Sequence, residues 1–314
     1  MSACLICNSA AFTPLFEGSD RLYHTTQKPF AVVRCNGCGL LRLHPAPAPA
    51  ELPGYYPANY WFDPGETTAG RLEEAYRRLV LRDHVAFVEA ALRATTARGP
   101  LLDAGCGGGL FLGIMRQRGF RVVGLDISRE AASIAYHRQQ VPAVAALLEN
   151  APFAPQSLAA LSMFHVLEHL YDPRAYLTIA RDLLKPDGRL IVQVPNAASW
   201  QFRFLGRRWN GVDIPRHIFN FRAADLEALI RSCGFEIVRR KFFNLRDNPA
   251  GLASSLAPSM DPMARRVRGI PESAAVRLAK DLTYFGLVVA SLPFAAAEAA
   301  FQAGSTIMIE ARRP

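Results

Sequence analysis

Leu101-Leu102-Asp103-Ala104-Gly105-Cys106-Gly107-Gly108-Gly109-Leu110-Phe111-Leu112 decides the fold class. A short apolar run, a glycine turn and a new apolar segment follow one another, in the order strand, loop, helix. Gly105, Gly107 and Gly109 let the backbone turn sharply and approach a ligand beside a helix N-terminus. The spacing is GxGxG, whereas the GxGxxG of dinucleotide binders would place glycine at Leu110. Asp103 precedes the loop, where an acid would repel a pyrophosphate and suits an ammonium group. Asp126 follows 23 residues after Asp103, at the end of the next apolar run. An acid there can accept both hydroxyls of a ribose.

Outward from this loop, strands and helices alternate. The pattern predicts strands near 100–104, 121–126, 143–148, 158–165, 189–194, 235–243 and 305–311. It predicts helices near 109–118, 129–140, 173–184 and 222–233, with Gly119, Gly188 and Gly234 turning the chain at positive φ just past three of them. Continuous apolar strands imply an α/β, Rossmann-like, mostly parallel seven-stranded sheet covered on both faces. Before it, Leu72, Ala75, Tyr76, Leu79, Val80, His84, Phe87, Val88 and Ala91 recur at helical spacing and predict a helix over 67–98. Residues 46–66, rich in Pro and Tyr, read as an extended linker. The division expected is a zinc-binding module at 1–45, linker and leading helix at 46–98, and an α/β domain at 99–314. Within that domain, 244–304 breaks the rhythm as a helical insert before the last strand.

In its order of motifs the chain resembles the class I S-adenosylmethionine-dependent methyltransferases, over about residues 99–243 plus the last strand. The resemblance implies that Asp103, Gly105, Gly107 and Gly109 hold the methionine part of S-adenosyl-L-methionine, and Asp126 its ribose. It implies that Leu148-Glu149-Asn150-Ala151-Pro152-Phe153 flanks the adenine, through Glu149 and Asn150. Met163-Phe164-His165-Val166-Leu167-Glu168-His169 matches the family's fourth strand and its exit, which line the cleft between cofactor and acceptor, so the resemblance also implies His165 as a cofactor contact.

Cys4-Leu5-Ile6-Cys7 and Cys35-Asn36-Gly37-Cys38 stand 27 residues apart, with Gly39 suited to the positive φ of a knuckle. Two CxxC turns close a tetrahedral sulfur site, so Cys4, Cys7, Cys35 and Cys38 are expected to hold Zn2+. Four thiolates leave no open position, which makes the zinc structural. Forty-odd residues bury little core, and metal should supply their folding energy. A redox CxxC usually opens a helix, and neither pair does.

Methyl transfer from a sulfonium requires a collinear acceptor and, for many acceptors, a base. Seven histidines are present. His24, His44, His84 and His137 read as surface or packing residues. His165 and His169 flank the end of the fourth strand, where ligands bind in open α/β sheets. His217 lies in Trp209-Asn210-Gly211-Val212-Asp213-Ile214-Pro215-Arg216-His217, a loop long enough to cover an acceptor. His217, with His165 and His169, is the expected catalytic set. Arg207 and Arg216 are candidates to pair with a substrate phosphate.

The sequence carries 36 Lys plus Arg against 27 Asp plus Glu, a net charge of +9. Only Lys28, Lys185, Lys241 and Lys280 are lysines, which disfavours nucleic acid as partner. Leaving the second cysteine pair, Cys35–Leu40, the prolines of 45–53, Tyr55, Tyr56 and Tyr60 resemble enzymes that methylate small molecules: nucleotide-borne sugars, glycans and natural-product intermediates. Ribosomal RNA methylation, and a non-catalytic protein that senses S-adenosylmethionine, are the alternatives. No signal peptide opens the chain, and a cytoplasmic protein is expected. Leu282–Ala297 is an uncharged 16-residue apolar run containing Pro293, short of the ~20 residues a spanning helix needs. It is expected to be buried in the core or in a homodimer. The other reading is peripheral contact with the inner face of the membrane, aided by Arg265, Arg266, Arg268 and Arg277.

Overall fold

The computed structural model describes residues 3–57 and 68–314. Tyr60 and linker residues 58–66 lie outside the described residues, as does the side chain of Leu72. The N-terminal module contains β1 (Phe12–Gly18), β2 (Phe30–Cys35) and β3 (Leu41–Leu43). Helices α1 (Thr68–Val80) and α2 (Arg82–Ala94) lead to β4 (Leu101–Ala104), α3 (Leu110–Gln117), β5 (Val122–Asp126), α4 (Arg129–Gln139) and β6 (Ala143–Ala145). Then come β7 (Leu158–Phe164), α5 (Pro173–Leu183), β8 (Leu184–Pro195), α6 (Trp200–Leu205), β9 (Phe219–Asn220), α7 (Ala223–Ser232) and β10 (Glu236–Lys241). The insert holds α8 (Asn248–Leu256), α9 (Pro262–Val267) and α10 (Ala274–Ala300), and β11 (Thr306–Arg312) closes the chain.

Seven strands form the main sheet in the order β10-β11-β8-β7-β4-β5-β6. The pairs β4–β5, β4–β7, β5–β6 and β7–β8 are parallel, and β11 runs antiparallel between β8 and β10. The alternating, Rossmann-like α/β reading is therefore correct. From Leu158 to Met163 every residue of β7 is buried, as expected for a strand with helices on both faces. The chain leaves β4 toward β5 and returns to β7 on β4's other side. That reversal opens a crevice at the carboxyl ends of β4 and β7, where open α/β sheets bind their ligands.

A second sheet, β1-β2-β3-β9, joins the N-terminal module to the α/β domain. Its fourth strand comes from the loop beyond β8, through the pairs Leu41↔Asn220 and Arg42↔Phe219.

Four expectations need correction. The leading helix is two helices interrupted at Leu81, a break that apolar spacing running through both does not register. In α2, His84, Val85, Phe87, Val88 and Ala91 are buried, whereas Tyr76 and Leu79 of α1 are exposed. The strand expected to 148 stops at Ala145, and Leu148–Asn150 is a 3-10 turn. Gly119 and Gly234 take positive φ as expected, but at the third turn Asp187 carries it, at 60°.

The fourth correction concerns the apolar run, which is the middle of a 27-residue helix, α10, with Pro293 inside it. By length and composition α10 could cross a membrane, yet only 22% of its most apolar window is buried in this chain. Val288, Ser291, Ala295 and Glu298 face inward, while Leu278, Leu282, Phe285 and Val289 form an exposed stripe. Burial inside the chain is therefore partial. Arg265 is itself buried against Glu272 and Asp281, and Arg266 pairs with Glu73, so neither stands free for a headgroup.

Candidate active site

The glycine loop is tied to the neighbouring strand before it meets any ligand. The Gly105 and Cys106 amides donate to the Leu125 carbonyl at 2.7 and 3.0 Å. Gly105 has φ 80°, and an added Cβ would stand 2.6 Å from Val166 Cγ2. Gly109 has φ 74°, and a Cβ there would stand 2.7 Å from Ala135 Cβ. Only glycine fits either position without strain. Asp126 is buried and accepts from the Gly107 amide through Oδ2 and the Ser128 amide through Oδ1, both at 2.9 Å. One carboxylate thus shapes the loop and keeps lone pairs for further donors. Asp103 accepts from Ser162 Oγ at 2.7 Å. Burial, with the nearby Asp126 charge, pushes Asp103 up to about 7. Glu149 and Asn150 are exposed on the turn after β6.

Across the crevice, the three expected histidines come together around one acid, Glu168, which is 1% exposed. His165 leaves β7 with φ 58°. Its Nδ1 lies 3.1 Å from Glu168 Oε1 and its Nε2 3.3 Å from Asp247 Oδ2. Burial opposes its charge, but the two carboxylates outweigh that and hold His165 up to about 9. Both ring nitrogens are therefore engaged at neutral pH.

His169 and His217 meet edge to face, with ring centroids 4.6 Å apart. His169 Nδ1 donates to the Arg216 carbonyl at 3.0 Å, with Tyr56 Oη 3.0 Å from the same nitrogen. His217 Nδ1 donates to the Gly211 carbonyl at 2.8 Å. A carbonyl only accepts, so both rings carry hydrogen on Nδ1. Burial and the neighbouring His217 push His169 down to about 4, which keeps it neutral. Glu168, His169 and His217 each offer one ligand atom, all within 4.8 Å of one another.

Residues 72–240 match the family described as a methyltransferase domain, which is more than half of the chain. The chain belongs to the methyltransferase-domain family. A ubiquinone biosynthesis O-methyltransferase of Cereibacter sphaeroides (strain KD131) is 32% identical over 171 residues, 50% of this chain and 67% of that protein. The protein of the same name from Pseudomonas paraeruginosa is 28% identical over 181 residues, 54% of this chain and 77% of that one. Matched stretches span from 63% to 77% of the lengths of such relatives. A crystal structure of an S-adenosylmethionine-dependent methyltransferase from Archaeoglobus fulgidus aligns with TM-score 0.48 and 18% identity. That alignment covers 78% of this chain and all of the other. The family and its curated relatives agree: this is an S-adenosylmethionine-dependent methyltransferase.

The candidate site contains groups that motif reading missed. Asp247, at the start of α8, accepts from Gln193 Nε2 at 2.7 Å and faces His165. His84 of α2, taken as a packing residue, is buried with its Nε2 3.8 Å from Asp247 Oδ2. Neither lies in the glycine loop or the strand-exit motif, so only the fold could join them to the site. Arg216 is a correction. It is wholly buried between Asp20 and Asp213 and is not available to a substrate phosphate.

The four module cysteines also cluster. Cys4 and Cys38 Sγ stand 3.5 Å apart, as do Cys7 and Cys35 Sγ. Thiolates around one zinc at ~2.3 Å stand about 3.8 Å apart, so the set fits a tetrahedral ion. Gly39 takes φ 84° at the knuckle.

Asp126→Ala removes the loop anchor and the expected ribose acceptor. It should weaken S-adenosylmethionine binding by about 1.5–3 kcal/mol, the range for hydrogen bonds to a charged group. Calorimetry with equal affinity for variant and parent would remove Asp126 from the cofactor site.

Proposed function

We propose that this methyltransferase moves the methyl group of S-adenosylmethionine to a hydroxyl of a small molecule, a sugar, glycan or natural-product intermediate. The observation that carries this reading is the meeting of His169, from the exit of β7, and His217, from the loop before β9, with each Nδ1 turned to a backbone carbonyl. Asp103, Gly105, Gly107, Gly109 and Asp126 take the cofactor, with Glu149 and Asn150 beside its adenine. His169 and His217 line the acceptor side of the site, and His165 positions Glu168 behind them. Cys4, Cys7, Cys35 and Cys38 hold a structural zinc, and the cytoplasm keeps such thiolates reduced. The O-methyltransferase names of the relatives support oxygen as the nucleophile. The scarcity of lysine supports a small acceptor over RNA.

The test is release of S-adenosylhomocysteine with panels of sugar, nucleotide-sugar and phenolic acceptors. With an acceptor in hand, His217→Ala should lower kcat by about 10²–10⁴, leaving cofactor affinity unchanged. A parent enzyme that binds cofactor but methylates no hydroxyl overturns the reading. So does full turnover in the variant.

A further inference from the structure

We infer that Glu168, His169 and His217 hold a divalent metal ion of the zinc, manganese or ferrous class, separate from the cysteine site. Two imidazoles and one carboxylate are a ligand set for such ions, and three protein ligands leave positions open. The fixed tautomers supply the first argument. Each Nδ1–H is spent on a backbone carbonyl, Arg216 for His169 and Gly211 for His217, which aims the Nε2 lone pair away from the backbone. Metal-bound histidines are oriented by just such outer hydrogen bonds.

The second argument is an orphan. Glu168 Oε1 is bonded to His165, but Oε2 is buried with no hydrogen-bond partner among the described residues. An unpaired buried carboxylate oxygen is costly, and a cation is the partner that would satisfy it. The third argument is spacing. Donors around one ion at ~2.1 Å stand roughly 3–4.2 Å apart, by the geometry of tetrahedral and octahedral sites. Here Glu168 Oε1 and His217 Nε2 are 4.0 Å apart, and the three donor groups lie within 4.8 Å. A small inward shift closes the set. Asp213 Oδ2, 3.8 Å from His217 Nε2, stands close enough to act as a fourth ligand or to accept from a bound water.

The role of the ion, which rests on the acceptor reading above, is to bind the acceptor oxygen and make its hydroxyl more acidic. The binding itself is tested without turnover. The full chain, loaded with zinc and dialysed, should carry two equivalents per molecule by elemental analysis. Glu168→Gln and His217→Ala should each lower affinity for the second equivalent at least about tenfold, while the cysteine-bound equivalent stays. Cobalt distinguishes the sites: the thiolate site gives strong near-ultraviolet charge transfer, and the second equivalent should add only weak visible bands. X-ray absorption on that second cobalt should show nitrogen and oxygen neighbours and no sulfur. This measurement on the parent protein holds even where a variant misfolds.

One equivalent in the parent overturns the inference, as does a second equivalent that both variants retain. Full methyl transfer by a protein free of the second ion overturns the role alone. A bound second ion with no methylated hydroxyl overturns the acceptor reading alone.

Discussion

Arg216→Ala should cost about 3–5 kcal/mol of folding stability, the range for breaking a buried ion pair by removing one partner. The guanidinium is 0% exposed. It donates to Asp20 at 2.8 and 3.0 Å, to Asp213 at 2.6 Å, and to the Tyr55 carbonyl at 2.9 Å. It also lies 4.5 Å from the centre of the Tyr23 ring. Truncation leaves two carboxylates without their cation, Asp20 keeping only the neutral Leu22, Tyr23 and Thr25 donors. Lysine should not rescue, because a point charge cannot fork between two carboxylates. The pH dependence follows from sign. Burial alone would raise Asp20 and Asp213, but Arg216 outweighs it and holds both below the usual carboxylate range. A depressed carboxyl contributes stability above its unfolded value and loses it as pH falls through its folded one. The parent should therefore lose this stability below about pH 4, and the variant should lose much less of it. Urea unfolding across pH measures both effects. A variant within 1 kcal/mol of the parent at pH 7 would show that Arg216 is not a keystone.

Arg216 also shows where sequence reading stops. The glycine loop was legible because its constraint is local: positive φ and close approach demand glycine at 105 and 109 whatever lies elsewhere. Asp126 was legible for the same reason, since its place at a strand end fixes its direction. The strands of the main sheet were legible as continuous apolar runs. Arg216 looked like a ligand for phosphate because sequence shows its charge and not its partners. Those partners, Asp20 and Asp213, lie 196 and three residues away. Asp247 and His84 were missed likewise, because the contacts of Asp247 with His165 and with His84 depend on how α2 and the insert pack. The break at Leu81 and the exposed stripe of α10 have the same origin. Spacing within a helix says which residues share a face, not whether anything covers that face.

Zinc at the cysteine cluster should control far more than the 45 residues that enclose it. Structural zinc contributes on the order of 10 kcal/mol to small modules, more than a sheet as short as β1-β2-β3 supplies alone. In this chain the module is not alone. Cys4, Cys35 and Leu40 pack into one apolar core with Phe219, Phe221 and Leu226. Arg222 donates to the Cys38 carbonyl from the start of α7. Strand β9 has β3 as its partner, and His217 sits two residues before β9 begins. Losing the ion should therefore unpair β9 and release the segment that aims His217. The glycine loop should keep its shape, since Gly105, Cys106 and Gly107 bond to Leu125 and Asp126 rather than to the module. The expected result for Cys35→Ser with Cys38→Ser is split: methyl transfer collapses, while S-adenosylmethionine still binds. Amide hydrogen exchange locates the cause, with protection lost over residues 30–43 and 210–222 and kept over 101–126. Removing thiolates rather than adding a chelator strips no ion directly from Glu168, His169 and His217, so any loss there follows from the released segment. If the zinc-free protein keeps its protection at 213–220, the module is an attachment and not a support. In that case the positioning of His217 belongs to Asp213, Arg216 and the α/β core.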